Sequence, residues 1–357
     1  MEIKLKTLTP LWTGGIDGKV DRIHETSIIG SLRWWYEVIV RGLGGHVCDP
    51  SKHKCTLDVE EYHKSNANDE RQRLHDAGLC DVCQVFGATG WRRRFRIKIE
   101  ETSISDASIT HPIRANRTYT REDNNREKEC TPTWYFPDPP KVGAFAISTQ
   151  SLMPDIPSEV IAGLIQFIAD WAALGARPQM GFGVVEPADD RLDTKPFYDW
   201  LTSRAGNQQY SNLPSLKNMF FARIVPKNGS SFSENETFNL KYDLRRRFAN
   251  DQKLRHFIMG TVRGGRKAAK VKMSRSYKHE GKNIIRVWGW IPERADVYNG
   301  WNREKVVKHI HDYLKTKYQL EVWREMNSAR DTVAPNNNDV KAFLRSLLGL
   351  AEESNAI

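Results

Sequence analysis

The fold is decided by residues 25–45, which have the sequence ETSIIGSLRWWYEVIVRGLGG. Apolar side chains recur there every three or four residues, the spacing of one helix face, at Ile28, Leu32, Trp35 and Ile39. Thr26 or Ser27 offers a side-chain oxygen to cap the first turn, and three closely spaced glycines end the pattern. Apolar and polar residues alternate in Met1–Leu8, so the sequence predicts a strand followed by this helix.

The segments that follow complete a β-α-β-β-α-β order. Phe95, Ile97 and Ile99 alternate with polar residues and predict a strand at Arg94–Glu100. Further strands are predicted at Val142–Thr149 and Gly181–Pro187. Pro157 opens an apolar helix pattern that runs to Leu174. We expect residues 46–78 and 101–141 to be irregular insertions, because they are mostly polar or loop-like. This order is that of the ferredoxin-like unit, which RNA-recognition modules also use.

The second half of the chain repeats the order. Its predicted elements are strand Phe220–Pro226, helix Leu240–His256, hairpin strands Lys270–Tyr277 and Ile284–Ile291, helix Asn302–Lys317, strand Gln319–Arg324 and a terminal helix Asn338–Leu348. The sequence therefore predicts the α+β class, with two tandem ferredoxin-like (RRM-like, βαββαβ) domains and loop insertions. The expected boundaries are 1–190 for the first domain, 191–214 for a linker and 215–357 for the second domain.

The composition excludes several classes of protein. The 357 residues are 39% hydrophobic and 10% aromatic, which is too apolar for intrinsic disorder. No apolar run reaches the length of a membrane span, and the first residues resemble neither a secretory nor a transit signal. The net charge is +10. We therefore expect a soluble, cytoplasmic protein without membrane contacts, whose partners are anionic.

The positive charge is concentrated in one segment. Lys241–Trp290 contains 15 Lys and Arg against 3 Asp and Glu, and a smaller arginine cluster lies at Trp91–Arg96. A charged run is often only a solvated surface, but here Gly and aromatic residues are interleaved with unbalanced cations. This pattern is typical of a groove that holds a phosphate backbone. The predicted RNA contacts in these two segments are Arg92, Arg93, Arg94, Arg245, Arg246, Arg263, Arg266, Lys267, Lys270 and Lys272.

Four of the five cysteines, Cys48, Cys55, Cys80 and Cys83, lie within 36 residues. The C-x-x-C spacing of the last two allows both thiolates to bind one tetrahedral ion, and His46 and His53 lie near the other pair. We expect a structural Zn²⁺ that stabilises the insertion, and no cofactor for catalysis. The alternative is free thiols in a reducing cytoplasm. A disulfide or a thioredoxin-like redox pair fits the sequence less well.

A glycine-rich loop, Leu174–Gly183, joins the second helix to the last strand of the first half. Glycine permits close backbone approach and exposes amides that can bind a phosphate, so RNA contacts are expected at Gly175, Arg177, Gly181 and Gly183. The alternative is an ordinary helix cap and turn. The loop lacks the Gly-Lys-Ser/Thr ending of a P-loop and follows a helix instead of preceding one.

Arg33, Trp34, Trp35 and Tyr36 are consecutive on the first predicted helix. Successive residues of a helix are about 100° apart, so the three aromatic side chains cannot all face inward. We expect Trp35 to pack in the core, Trp34 to stack on an RNA base and Arg33 to contact RNA. The alternative is that every aromatic ring packs inside the protein.

Four stretches together resemble the RAMP superfamily of CRISPR-associated proteins and, within it, the first-subunit family of the type III-B (Cmr) effector complexes. These stretches are TPLWTGG at residues 9–15, ETSIIGSLRWW at 25–35, CDVCQVFGATGWR at 80–92 and the loop at 174–183. The resemblance covers about residues 1–190, whereas the second half is similar in architecture and charge. The family's Gly-rich loop corresponds to Gly175–Gly183, and its helix motif to Ser31–Trp35.

The resemblance implies tandem ferredoxin-like folds and a role in an antiviral, RNA-guided complex. Its subunit lies at the 3′ end of the guide beside other RAMP subunits and helps to bind crRNA and single-stranded target RNA. It also implies that this subunit is not the nuclease. The sequence agrees, because His24 and His111 lie in predicted loops without a hydrolase or metalloprotease motif. We therefore expect no enzymatic activity.

Two alternatives from other functional classes stay open. One is a scaffold that binds acidic proteins, which would show salt-sensitive protein contacts but no RNA footprint. The other is an enzyme. Some members of the same superfamily are metal-independent CRISPR endoribonucleases that use a loop histidine in the first domain. His24 is the corresponding candidate base in this chain. Specific cleavage of a repeat-containing RNA in EDTA, abolished by His24→Ala, would distinguish this enzyme from a binding subunit.

Overall fold

A computed structural model describes residues 1–52, 54–109, 112–123, 126–136, 138–153, 156–262, 265–293, 298 and 300–351. The first half comprises β1 (Glu2–Thr7), α1 (Glu25–Gly42), α2 (Val59–Lys64), α3 (Glu70–Asp76), α4 (Asp81–Phe86), β2 (Phe95–Asp106), β3 (Ile113–Arg114), β4 (Tyr119–Asp123), β5 (Arg126–Cys130), β6 (Thr133–Trp134), β7 (Lys141–Ser151), α5 (Ser158–Trp171), β8 (Val185–Pro187) and α6 (Lys195–Thr202). The second half comprises β9 (Met219–Val225), α7 (Glu236–Arg247), α8 (Gln252–Met259), β10 (Val271–Met273), β11 (Tyr277–His279), β12 (Lys282–Trp290), α9 (Arg303–Lys317), β13 (Gln319–Arg324) and α10 (Val340–Leu347).

Each half is organised around one antiparallel sheet. The first has the order β2-β7-β1-β8, and the second has the order β10-β12-β9-β13 with β11 beside β12. Alternation fixes the buried face, since Ile3 and Leu5 of β1 oppose Ile147 and Phe145 of β7 and all four are buried. Helices α1 and α5 contribute to the same core. The predicted α+β architecture with antiparallel sheets is confirmed.

Residues of the second half contribute to the hydrophobic core of the first half. The terminal helix α10 inserts Phe343, Leu344 and Leu347 into the hydrophobic core of the first half. The Trp171 indole at the end of α5 donates a hydrogen bond to the Leu347 carbonyl, 2.7 Å away. Burial of these apolar side chains is the main favourable contribution to the free energy of this contact.

Two arginines of the second sheet attach it to the end of α5. Arg286 of β12 is 3% exposed and donates hydrogen bonds to the carbonyls of Ala169 and Ala172. Arg223, which lies opposite it on β9, donates to the Asp170 carbonyl at 3.0 Å. The last carbonyls of a helix have no partner within the helix and carry its negative dipole end, so both arginines stabilise that terminus.

Four predicted elements differ from the structure. Residues 46–78 are not irregular throughout, because they contain α2 and α3, whose first turns are capped by the Asp58 and Asp69 side chains. The single helix Leu240–His256 is two helices, because Asp251 accepts a hydrogen bond from the Leu254 amide and starts α8. Residues 101–141 are not mostly loop, since β2 pairs with β7 as far as Asp106 and β3–β6 form two small hairpins. The predicted linker 191–214 contains α6, which buries Phe197, Tyr198 and Leu201.

Among the helices in the described ranges, none combines the length and apolar character needed to cross a lipid bilayer.

Candidate nucleic-acid interface

A pocket of about 300 Å³ lies where the first half of the chain meets the second. Helix α1 contributes Ser31 and Trp34, and the Gly-rich loop contributes Gly175. The second sheet contributes Lys272 from β10 and Trp288 from β12. The structure therefore brings together three predicted contacts, Trp34, Gly175 and Lys272, that are far apart in the sequence. A pocket of this size is within the range of small-ligand sites.

The ammonium group of Lys272 has no counter-ion among the residues that the structure describes. Its Nζ lies 4.8 Å from the centre of the Trp34 ring, and within the described ranges it forms neither a hydrogen bond nor an ion pair. Burial in the absence of an acidic neighbour lowers its pKa to about 8. Removing a cation from water without giving it a partner costs free energy, and a bound anion would offset that cost.

The aromatic residues of α1 divide between the core and this pocket. Trp35 is 3% exposed and packs against Phe167 and Phe221, with ring centres 5.6 and 6.1 Å away. Tyr36 is fully buried and accepts a hydrogen bond from the Trp200 indole. Trp34 is only half-buried and contacts Trp35 edge-on. The predicted core position of Trp35 is confirmed, and Trp34 keeps a surface in the pocket.

The glycines of the Gly-rich loop have structural roles. All three have positive φ: Gly175 (77°), Gly181 (93°) and Gly183 (94°). Their amides donate to Ser31 Oγ, to the Pro178 carbonyl and to the Pro10 carbonyl, respectively. A Cβ on Gly183 would lie 1.9 Å from the Leu174 carbonyl oxygen. The amides are thus occupied, and the predicted phosphate contact through them is wrong.

Arg177, in the same loop, is placed differently. It has a left-handed backbone with φ of 57°, which is uncommon for a residue with a side chain. Its guanidinium stacks on Trp12 at 3.8 Å from the ring centre, and burial lowers its pKa. Arg177 lies between Ala176 and Pro178, which both line the pocket. The loop therefore places an oriented cation at the pocket edge.

The predicted cations of the second half fall into two groups. Arg246, Arg266 and Lys267 are exposed. Arg245 and Lys270 are half-buried and donate to main-chain carbonyls, those of Gly260 at 2.9 Å and Phe257 at 3.0 Å, respectively. Arg263 lies outside the described residues. The exposed group is therefore the part of this segment that is most accessible to a phosphate backbone.

The predicted cations of the first half are largely internal. Arg94 is 3% exposed, with its guanidinium 5.0 Å from the Trp91 ring centre and 3.6 Å from Glu70. Arg93 donates to the Phe95 carbonyl at 2.8 Å, and Arg92 is exposed. The predicted RNA contact of Arg94 is wrong, because a buried guanidinium cannot reach a ligand in solvent.

Arg33 is also turned inward. It donates to Cys83 Sγ at 3.1 Å, to the Gly87 carbonyl at 3.0 Å and to Glu37 at 3.1 Å. Three acceptors occupy its guanidinium, so its predicted role as an RNA contact is not supported by its position. The bond to Glu37 lies within α1, whereas the bonds to Cys83 and to the Gly87 carbonyl attach α1 to α4.

The four predicted cysteines meet at one point. Sγ atoms of Cys48, Cys55, Cys80 and Cys83 all lie within 4.8 Å of one another, and three of these residues are buried. Hydrogen bonds from the neighbouring thiols lower the pKa of Cys80, whereas the pKa of Cys83 is raised. Of the two histidines predicted near the other cysteine pair, His46 contacts the ring of His75, with ring centres 5.4 Å apart, and His53 lies outside the described residues.

His24, the candidate base, precedes α1 and has a carboxylate partner. Its Nε2 lies 2.7 Å from Asp21 Oδ1, and this hydrogen bond lowers the pKa of Asp21. His111 lies outside the described residues.

The sequence prediction missed other residues that shape the pocket. Trp288 lines it, and Lys241 donates to the Gln179 carbonyl at 3.0 Å, which ties α7 to the Gly-rich loop. Burial lowers the pKa of Lys241 to about 7. The alternation of β12 places Trp288 on the same strand face as Arg286. This two-residue alternation could have identified the strand face that carries Trp288, but the sequence does not show which residues pack against that face.

A family model described as the RAMP superfamily matches residues 4–186, slightly more than half of this α+β chain. The chain belongs to the RAMP superfamily.

Two solved structures are similar to the chain. The crystal structure of apo Cmr1 from Pyrococcus furiosus has a TM-score of 0.46 and 14% identity, covering 89% of this chain and 97% of that chain. A cryo-EM structure of type III-B Cmr-beta, bound to cognate target RNA and AMPPnP in the presence of ssDNA, has a TM-score of 0.43 and 12% identity. It covers 88% of this chain and 98% of that chain. No curated protein matches.

Proposed function

We propose that this chain is a non-catalytic RNA-binding subunit of a type III-B CRISPR (Cmr) complex, which silences RNA in antiviral defence. It lies at the 3′ end of the guide, helps to bind crRNA and single-stranded target RNA, and contacts other Cmr RAMP subunits in the cytoplasm. Membership of the RAMP superfamily and the motifs at 9–15, 25–35 and 80–92 support this role. The strand order common to both sheets supports two tandem ferredoxin-like domains.

The observation that carries the proposal is the pairing of Lys272 with Trp34 across the pocket. Single-stranded RNA presents unstacked base faces and a phosphate for every nucleotide. A half-buried indole offers a stacking surface for the base, and an unpaired ammonium offers a charge for the phosphate. Because every base has a flat face, this combination binds RNA with little sequence preference.

The exposed cations extend this interface beyond the pocket. Arg246, Arg266 and Lys267 have side chains on the surface of the second half. Each phosphate contact releases counter-ions from the RNA, so affinity falls as salt rises. The pocket would then fix one nucleotide while the surface follows the backbone.

Binding to a short single-stranded RNA, measured by fluorescence anisotropy at several salt concentrations, tests the proposal. We expect the Kd of Lys272→Met to rise about tenfold, as for a lost charge-assisted contact. The matched control is Lys315→Met, which removes an exposed lysine of α9 outside the pocket and should leave the Kd unchanged. Equal Kd values for both variants would contradict a pocket-centred RNA site.

The endoribonuclease alternative has one observation in its favour, the hydrogen bond between His24 and Asp21. A carboxylate that accepts a hydrogen bond from an imidazole orients the ring, as a general base requires. If this function is correct, the purified chain cleaves a repeat-containing RNA in EDTA, and His24→Ala abolishes that cleavage. Intact RNA with the unchanged chain would exclude it.

A further inference from the structure

The cysteine cluster is separate from the RNA pocket and is assembled from distant parts of the first half. Cys48 follows α1, and Cys55 precedes α2. Cys80 occupies the N-cap position of α4, and Cys83 lies within that helix. The connection between α1 and α2 and the start of α4 thus converge on a single point, which is how structural metal sites organise regions with small cores.

The sulfur atoms have the separation that a tetrahedral ion requires. Zn–S bonds of about 2.3 Å place the corners of a tetrahedron about 3.8 Å apart. Cys48 Sγ and Cys83 Sγ are 3.8 Å apart, and no two of the four sulfurs are separated by more than 4.8 Å. All four are free cysteines, and 3.8 Å is too long for a disulfide bond of about 2.05 Å.

We propose that these four cysteines bind one Zn²⁺ as thiolates in a closed, structural site. Four sulfur ligands in a tetrahedron select zinc or iron, and zinc lies above ferrous iron in the affinity order for divalent metals. All four positions are filled by protein, so no site is left for water or substrate. The ion therefore serves folding and not catalysis, independently of RNA binding.

Arg33 completes the site from α1. Four thiolates and one Zn²⁺ leave a net charge of −2, which the protein must offset. The Arg33 guanidinium donates to Cys83 Sγ at 3.1 Å, and Glu37 accepts from it and orients it. Glu37 also accepts from Arg41, which donates in turn to the Cys48 carbonyl at 3.2 Å. This explains why a conspicuous arginine of the helix motif points away from solvent.

The ion would connect the insertion to the main core. Helix α2 has six residues, none of them buried, and α3 buries only Leu74. Such short helices have little stability of their own. A metal that joins Cys48 and Cys55 to α4 closes the chain around them, so removing it should loosen residues 46–80 before the sheets unfold.

Element analysis of the full chain, purified in reducing buffer without added metal, tests this proposal. We expect one zinc and no iron per chain. The double variant Cys80→Ser/Cys83→Ser should lose the zinc, and Cys130→Ser, which lies outside the cluster in β5, should keep it. A wild-type chain without zinc, even after incubation with Zn²⁺ and removal of the excess, overturns the proposal. So does iron in place of zinc, or stoichiometric zinc in the double variant.

Two further measurements keep the test valid if the double variant does not fold. Co²⁺ exchanged into the wild-type chain should show the visible absorption of a tetrahedral thiolate site, and its absence overturns the coordination. Arg33→Lys keeps the charge but loses the guanidinium fork, so we expect the Kd for zinc to rise about tenfold, as for other residues that support metal ligands. An unchanged Kd would overturn the role given to Arg33.

Discussion

The two arginine- and lysine-rich regions of the molecule are both strongly cationic, but their positive side chains have different environments. In the first, at 91–96, Arg94 is buried against the Trp91 ring, and Arg93 donates to the Phe95 carbonyl at the start of β2. In the second, at 241–290, Arg246, Arg266 and Lys267 are exposed, and Lys272 faces a pocket without a counter-ion. A count of positive charge cannot separate these cases.

The difference lies in the acceptors that the fold supplies. Near the first region, Glu70 and the Trp91 ring are within reach of Arg94, and Cys83 and the Gly87 carbonyl are within reach of Arg33. Around Lys272 the neighbours are aromatic rings and small side chains. A cation whose partners are inside the protein contributes to stability, whereas one without partners is available for a ligand.

The largest expected effect concerns the exposed cations of the second region. In Arg246→Ala/Arg266→Ala/Lys267→Ala, three phosphate contacts are lost, so the slope of log affinity against log salt should decrease by about 2. At 0.15 M salt this corresponds to about 50-fold weaker RNA binding. Fluorescence anisotropy over a salt series measures both quantities. The control, Lys315→Ala, should leave the slope unchanged. A triple variant with the wild-type slope would show that these three residues do not contact the RNA backbone.

A buried arginine of the first region should affect stability instead. Arg94→Ala removes the contact with Trp91 and the ion pair with Glu70, and we expect a loss of about 2 kcal/mol in the free energy of unfolding. Urea denaturation measures this loss, and the RNA Kd of the folded variant should not change. Arg92→Ala, its exposed neighbour, should cost less than about 0.5 kcal/mol. Similar losses of unfolding free energy in both variants would contradict a stabilising role specific to the buried arginine.

Lys272→Met should have opposite effects on binding and stability. We expect about tenfold weaker RNA binding, equivalent to about 1.4 kcal/mol. The free energy of unfolding should stay the same or increase, because the variant no longer buries an unpaired cation. Denaturation and anisotropy on the same preparation test both signs. A variant that lost stability would show that Lys272 has a structural partner.

The smallest effect should appear as a dependence on pH. The pKa of Lys272 is lowered from 10.5 to about 8, so RNA affinity should fall about fivefold between pH 7 and pH 9 as the ammonium loses its proton. Between pH 8 and 10.5 the unfolded chain binds more protons at this site than the folded chain does, so the contribution of Lys272 to stability rises with pH. Lys272→Met should show neither dependence. A wild-type affinity independent of pH in this range would contradict a lowered pKa.

The bounds of an element were predicted best where the residues of that element contain the whole signal. Strand β13 has the predicted bounds, and α9 begins one residue after the predicted Asn302, whose side chain caps it. Helix α6 was missed because it has only eight residues and lies in a stretch with proline and glycine. Its buried residues, Phe197, Tyr198 and Leu201, follow a helical spacing, which is the signal that identifies it.

The candidate site was predictable only in part. Helical geometry was sufficient to separate Trp35 from Trp34, because both lie on one element. It could not place Arg33, whose direction depends on Cys83 and Gly87, about fifty residues later in the chain. The glycines of the Gly-rich loop were identified correctly as special positions. Their amides were misassigned because the Pro10 and Pro178 carbonyls accept from them only in the folded chain.

The arginine pair at the end of α5 also constrains the order of synthesis. The first half emerges from the ribosome before Arg223 and Arg286 exist, so its second long helix begins without the groups that satisfy its last carbonyls. Its core is also incomplete until α10, the last helix in the described part of the chain, has been made. The first half can therefore complete its core only when nearly the whole polypeptide has been synthesised. Until then it exposes apolar surface, to which chaperones bind.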